Sequence, residues 1–420
     1  MNLKGNNDEF GFSGTHEYTL VFMKNKNAVE ELNGLDLTDD EIKDYNLSDE
    51  FGSYKQGATL MRTGEAGARI FRPKGYYPIY VRKYLSDFSI ERKNEDDYEV
   101  FPETKDGKAM SWRRSKEYLM KAKSEIIIKE NKENISFYKK QRLVDDMKNG
   151  KKAKTLFYKP EYSSGNGTAL IKKLFNNRLF DHPKPHILIK DFIKIGSSSN
   201  SIILDLFSGS ATTSHAVMQL NAEENGKRKF IMVQLPEVCD EQGEAFKAGY
   251  KNVCEIGKER TRRAGEKVLK ENKEKEGIGN LDIGFKVFKL DSSNIKKWNA
   301  DGENLEISIE NMIDNFVPNR TQEDIVYEIM IKYGIDLTYP LEIRNIVGKK
   351  VFSVGFGALF ICIDNEITLE LVQGIVKFKD ELNPEVTRVV FKDNGFQNDS
   401  VKANAIHILR RNKIQEIMSI

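Results

Sequence analysis

The stretch SIILDLFSGSATTSHAVMQLNAEENGKRKFIMVQL, residues 201–235, decides the fold class. Ser201–Leu206 is a short apolar run that includes Asp205, and Ser208-Gly209-Ser210-Ala211 is a turn of small residues. A helical pattern resumes over Thr212–Leu220, and beyond the polar turn Asn225-Gly226 comes a second continuous apolar run, Lys229–Leu235. Apolar runs of this length, bounded by turn residues and joined by a helix, form a βαβ unit of a parallel sheet.

Open α/β sheets bind ligands at the carboxyl ends of their strands, which here is the loop 205–212. Gly209 lets the backbone turn sharply, Ser210 and Thr212 carry hydroxyl donors, and the helix amino terminus presents unpaired N–H groups. The loop lacks the Gly-Lys-Ser/Thr of a phosphate cradle and the three glycines of a dinucleotide fingerprint. Three readings stay open: an adenosyl ligand with little phosphate, of which S-adenosylmethionine is the commonest, another small ligand, or a turn that binds nothing.

Upstream, residues 162–168 of YSSGNGTALIKKLF are small and Gly-rich, so a break is expected there, with Thr168 capping a helix from Ala169. FDHPKP, residues 180–185, is extended by its prolines and leads into a helix over His186–Ile195. Lys105–Pro160 holds 17 Lys/Arg against 7 Asp/Glu, a local excess of ten in a chain whose net charge is only +2. Trp112, Tyr118, Phe137, Tyr138, Phe157 and Tyr158 lie within it, as stacking or wedging groups beside phosphate-binding cations or as ordinary core. Residues 27–50 are acidic and read as a linker or surface helix, while His16–Lys24 reads as one sheet strand.

Downstream, 241–272 reads as one helix on which Arg260, Arg262 and Arg263 occupy a solvated or salt-bridged face. Over 299–420 the pattern gives a helix at Asp324–Gly334, a strand or hairpin at Lys350–Ile363 around Gly355 and Gly357, and a strand at Val386–Phe391. The length of 420 residues suggests two or three domains. No apolar run approaches the ~20 residues of a membrane span, and the first residues lack a signal-peptide pattern. Cys239, Cys254 and Cys362 are too dispersed for a zinc or redox site, so reduced thiols, no metal and a cytoplasmic setting are expected.

DLFSGSATTSHAVMQLN (205–221), GKRKFIMVQLPE (226–237), FDHPKP, THEYTLVFMKN (15–25), WRRSKEYL (112–119), RTRRAGEKV (260–268), GFKVFKLDSSNIKKW (284–298) and VVFKDNGFQNDSVKANAIHIL (389–409) together resemble the modification subunit of Type III restriction-modification systems. These are adenine-N6 DNA methyltransferases of the β arrangement. The resemblance implies an α/β fold: a Rossmann-like S-adenosylmethionine-dependent core with an inserted target-recognition domain and a C-terminal α+β region. It places the donor site at Asp205, Phe207, Gly209, Ser210, Thr212 and Gln234, closed on one side by His182, Pro183, Lys184 and Pro185, with Lys184 meeting the donor carboxylate and Gln234 the ribose. It divides the chain into a residual core strand (1–26), a target-recognition region (27–160), the donor-binding core (161–298) and an assembly region (299–420). The partners implied are double-stranded DNA, the helicase-nuclease restriction subunit, and a second modification subunit or a separate DPPY-bearing chain.

Two departures stand out. Ala211 occupies a position that is glycine in the family, which is strained if φ there is positive. The DPPY motif, which holds and stacks on the target adenine, is absent, because no two of the ten prolines are adjacent. No catalytic residue is assigned. The chain begins at a position corresponding to the family's last upstream strand, so the expectation is an incomplete sheet, exposed at an edge, with strands near 201, 229 and 284. Methyl transfer is expected only when a DPPY-bearing portion is supplied in trans; the alternative is an inactive remnant that binds DNA or assembles with partners.

Overall fold

The computed structural model describes residues 16–85, 87–131, 134–296 and 316–420. Strands and helices are numbered here in chain order. Two compact units divide between Ile283 and Gly284.

In the first unit, β8 (Ile202–Asp205) and β9 (Lys229–Met232) pair in parallel, joined by α6 (Thr212–Glu224), as the sequence predicts. Ile203 and Phe230 face Ala216, Val217 and Leu220 of α6 and Ile189 and Ile193 of α5 (His186–Gly196), which forms the small core under the loop. The opposite face is bare: Ile202, Leu204 and Ile231 are each more than half exposed.

The expected third and first strands are not part of this ladder. Residues 284–296 belong to the second unit, where the Lys286 ammonium donates to the carbonyls of Leu337 and Tyr339, Phe288 meets Tyr327 edge-on, and the Asn294 N–H donates to Glu328. The division between the two units thus falls inside the range 161–298 expected for the donor core. His16–Lys24 forms no ladder among the described residues, and Tyr18, Leu20, Val21 and Phe22 are each at least 70% exposed. A run apolar on both faces marks a strand that needs neighbours on both, and none is present among the described residues.

Helix α4 (Ser164–Phe175) starts five residues before the expected Ala169 and includes the glycines expected to break it. Gly167 is there for space: a Cβ would lie 2.1 Å from the carbonyl oxygen of Pro183, so only glycine lets α4 lie against FDHPKP. The single helix expected over 241–272 is two, α7 (Glu244–Lys247) and α8 (Val253–Glu271), separated at Gly249 with φ +95° and restarted by the Asn252 side chain accepting from the Glu255 N–H.

The region expected to recognise a target carries α1 (Asp39–Lys43), α2 (Lys116–Lys121), α3 (Leu143–Asn149) and two antiparallel sheets. One has the order β1-β2-β7-β6 (Leu47–Asp49, Gly52–Thr59, Asn134–Arg142, Ile126–Asn131) and the other β4-β3-β5 (Phe88–Ser89, Ile79–Val81, Tyr98–Val100). They close on a core of Leu60, Ile79, Val81, Phe88, Leu119, Trp112 and Phe137. Two of the aromatics in the basic run, Trp112 and Phe137, are thus core, meeting edge-on at 5.5 Å, while Tyr118 and Tyr158 are exposed. Arg142 ties the sheet to its surroundings through Asp49 and Glu125, and the guanidinium holds the Asp49 carboxyl well below the usual range.

The second unit is a five-stranded mixed sheet of order β10-β11-β12-β13-β14 (Leu341–Ile346, Lys349–Val354, Leu359–Cys362, Arg388–Phe391, Glu416–Ser419). The expected hairpin is β11–β12, turning through Gly355, Phe356 and Gly357, all at positive φ. Alternate residues face opposite ways: Val351, Phe360, Val389 and Phe391 against α10 (Leu369–Leu382) and α11 (Asp399–Arg411), and Phe352, Leu359, Ile361 and Val390 against α9 (Gln322–Lys332). Parallel pairing of β12, β13 and β14 makes this a layered α/β sheet rather than the expected α+β arrangement.

Candidate functional site

The loop after β8 is built from the inside. Asp205 accepts from the Phe207 N–H at 3.2 Å and from the Thr213 hydroxyl at 2.6 Å, tying the end of the strand to the start of α6. Gly209 is at φ +49° and its N–H donates to Gln234 Oε1 at 2.7 Å. Gln234, expected to contact a ribose, therefore shapes the loop from the end of the neighbouring strand.

Ala211 adopts φ +60°, ψ +45°, the left-handed region, immediately before α6. The strain conditional on that geometry is thus present, at roughly 1–2 kcal/mol. Its methyl is buried, against α8.

Helix α8 forms the floor. Arg260 is fully buried and its Nη1 donates to Ser210 Oγ and Thr212 Oγ1, both at 2.7 Å. Its Nε and Nη2 have no partner among the described residues, and burial pushes the guanidinium down to about 10. The expected solvated face is therefore wrong for Arg260. Arg263 does pair, with Glu259, and Arg262 is exposed. Gly257 approaches so closely that a Cβ would lie 3.2 Å from the Gly209 carbonyl oxygen, and Ser214 meets Thr261 at 2.9 Å.

Two imidazoles fill the seam beside this floor. His215 is wholly buried with both ring nitrogens unpartnered among the described residues, and stacks on His186 at 5.0 Å. Desolvation first, then the charges of Arg260, Lys190 and Lys267, push His186 down to about 4, and burial lowers His215 in the same direction. Both are neutral at pH 7, leaving Arg260 the positive group under the loop.

FDHPKP borders the loop on the other side. Phe180 lies 3.2 Å from where a Gly209 Cβ would be, Pro183 and Pro185 are buried, and His182 is in the left-handed region at φ +56°. The Lys184 carbonyl accepts from the Thr212 hydroxyl at 3.5 Å, while its exposed ammonium pairs with Glu17 at 2.9 Å. All ten residues singled out in the sequence thus lie in or beside this loop. The hydroxyls of Ser210 and Thr212 point inward to Arg260, and the largest side chains the loop exposes are Leu206 and the Phe207 ring, the latter 84% exposed. Phe180, Gly167, Gly257 and Arg260 escaped the sequence reading. FDHPKP, YSSGNGTALIKKLF and RTRRAG contained three of them without assigning them to the loop, and the spacing of RTRRAG does not distinguish a buried arginine from exposed ones.

A parallel strand pair, a left-handed glycine turn and a helix amino terminus at the strand ends form the kind of loop at which open α/β sheets bind ligands. The sequence profile of a family described as DNA methylase matches residues 1–252, and the chain belongs to that family. Among curated relatives, the EcoPI Mod subunit of a Type III restriction-modification enzyme of Escherichia phage P1 is 34% identical over 406 residues, 95% of this chain and 61% of the relative. The EcoP15I Mod subunit of Escherichia coli is 27% identical over 91% of this chain and 58% of its own length. The Type II methyltransferase M.KpnI of Klebsiella pneumoniae is 27% identical over 60% of this chain and 58% of its own length. The chain spans about three-fifths of the length of the Mod subunits it matches end to end.

Proposed function

We propose that these residues are the donor-binding and DNA-recognition portion of a Type III modification methyltransferase acting on adenine N6 with S-adenosylmethionine as donor. The observation that carries the reading is the loop 205–212, in which the side chains of Asp205, Ser210 and Thr212 are spent on its own scaffold while the Phe207 ring stands exposed.

This surface suits the donor. The N–H groups at the start of α6, reinforced by the buried Arg260 charge, favour a carboxylate. Phe207 offers a ring to an adenine, and Gly209 permits close approach. Lys184, now paired with Glu17, can exchange that partner for the ligand carboxylate. Bound S-adenosylmethionine supplies an electrophilic methyl; the protein's part is to orient it.

The acceptor side is supplied from outside these 420 residues. Adenine N6 is a poor nucleophile because its lone pair is delocalised, so transfer needs acceptors on the amino group and alignment with the methyl. DPPY provides these in the family, and no two prolines here are adjacent. Residues 27–160 carry target recognition on double-stranded DNA, and the second unit serves assembly with a restriction subunit or a second modification subunit, in the cytoplasm. No helix among the described residues is long and apolar enough to cross a membrane.

Radiolabelled methyl transfer to duplex DNA tests this. The 420-residue chain alone gives no product, and adding a DPPY-bearing polypeptide restores it. Transfer by the chain alone would show the acceptor chemistry to be misplaced, and no transfer in either arm with DNA binding intact would favour the inactive DNA-binding remnant.

A further inference from the structure

Two stretches distant in sequence, 60–76 and 108–116, lie side by side. The Arg62 N–H donates to the Ser111 carbonyl, Arg113 N–H to Leu60, Arg69 N–H to Ala109 and Trp112 N–H to Gly75, at 2.7–3.0 Å. Together they hold Arg62, Arg69, Arg72, Lys74, Lys108, Arg113, Arg114 and Lys116 against the single acid Glu65. Half of this seam precedes the basic run at 105–160, so no count along the chain displays it.

Several cations elsewhere in the same region are paired, among them Lys55 with Asp44, Arg92 with Glu99, Lys123 with Asp87, and Lys140 and Arg142 with Asp49. None of the eight seam cations forms an ion pair among the described residues. They rest on rings and carbonyls instead: Arg69 over Tyr76 at 4.2 Å, Arg114 over Tyr118 at 4.5 Å, Arg72 Nε on the Ala66 carbonyl and Arg113 Nε on that of Thr59. Arg62 Nε is buried without a partner among the described residues, and burial followed by the like charges of Arg72, Arg113 and Arg114 holds its guanidinium below the ordinary range. Gathered cations without ion-pair partners repel one another, and a polyanion relieves that repulsion. Between them project Ile70 and Phe71, 81% and 63% exposed.

We infer that this seam is the duplex-gripping surface, with Arg72, Arg113 and Arg114 on phosphates and the Ile70–Phe71 tip wedged between base steps. The inference rests on the DNA-recognition reading and adds the residues and the mode. Arginine predominates, as suits planar contacts to phosphate, and a two-residue apolar tip is the size of a base-step wedge rather than of a stable protein interface.

Fluorescence anisotropy of the full chain on a labelled duplex between 50 and 200 mM salt reads the grip, and a 2-aminopurine beside a TA step reads the wedge. Arg72→Gln and Arg114→Gln each reduce the slope of log K against log salt by about 0.9. Phe71→Ala lowers affinity about tenfold without changing the slope and abolishes the 2-aminopurine brightening, which Phe71→Leu retains. Unchanged slopes in the arginine variants, with a reduced slope in Lys129→Gln/Lys139→Gln on the β6–β7 hairpin, would overturn the seam while leaving DNA recognition standing. Brightening that survives Phe71→Ala would overturn the wedge. Absence of salt-dependent duplex binding by the wild type, or tighter binding to double-stranded RNA or anionic vesicles, would overturn the inference together with the reading beneath it.

Discussion

Two sheets of the molecule, one in each unit, differ in how completely they are covered. The five-stranded sheet of the second unit is sealed on both faces, with Val351, Phe352, Phe360 and Ile361 at 0% exposure. The β8–β9 pair is covered only on the α5–α6 side and leaves Ile202, Leu204 and Ile231 in the open. In the sealed sheet each alternate residue is committed to packing. In the open one only the inner face is committed, and the strand ends, the loop and the outer face are available for other work.

The largest expected contrast is in packing. Phe360→Ala removes a fully buried ring and lowers the stability of the second unit by about 3–5 kcal/mol. Leu204→Ala, on the bare face, changes the first unit by no more than about 0.5 kcal/mol. Urea titration with hydrogen exchange resolved for each unit measures both, and a large cost at Leu204 would mean that its face is covered after all.

Beneath the loop, Arg260→Met removes an uncompensated buried charge at similar volume, so stability holds or rises. Ser210 and Thr212 lose their common donor, and affinity for S-adenosylmethionine falls about tenfold. A variant weaker in both stability and affinity would reduce Arg260 to a core residue.

The imidazole seam sets a pH window. His186 takes up a proton near pH 6.5 when unfolded but only near 4 when folded, so the unfolded state binds more protons between those values. Stability of the first unit therefore declines as pH falls from about 6.5 towards 4, with His215 acting in the same direction. Thermal unfolding across this range measures the slope, which His186→Phe makes shallower.

The smallest effect is at Ala211. Glycine relieves left-handed strain of roughly 1 kcal/mol but removes a buried methyl contributing about 0.8 kcal/mol, so Ala211→Gly shifts Tm little. A shift of many degrees either way would show that one of these opposing contributions is absent.

Local chemistry was legible where it is written in consecutive residues. The 201–235 pattern gives the strand, turn and helix in order, and the amphipathic pattern and turn glycines of the second unit place α9 and the β11–β12 hairpin within two residues. What stayed hidden depends on residues far apart. Gly167 looks like a helix breaker until Pro183 lies against it, Arg260 looks solvated until α8 passes beneath the loop, and Arg62 and Arg72 join Arg113 and Arg114 only through the pairing of 60–76 with 108–116. The segment 284–296 has the composition of a sheet strand, yet the side chain of Lys286 and the amide groups of Asn294 bond to residues 324–339, a choice no local pattern records.

The central claim is that the loop 205–212 holds the methyl donor, and calorimetric titration of S-adenosylmethionine tests it most directly, with the chain alone and mixed with a DPPY-bearing polypeptide. The account predicts saturable binding, tighter in the mixture and lost in Gly209→Asp, which places a carboxylate at φ +49° against Phe180 and beside the helix terminus. Binding of unchanged affinity by Gly209→Asp would contradict it.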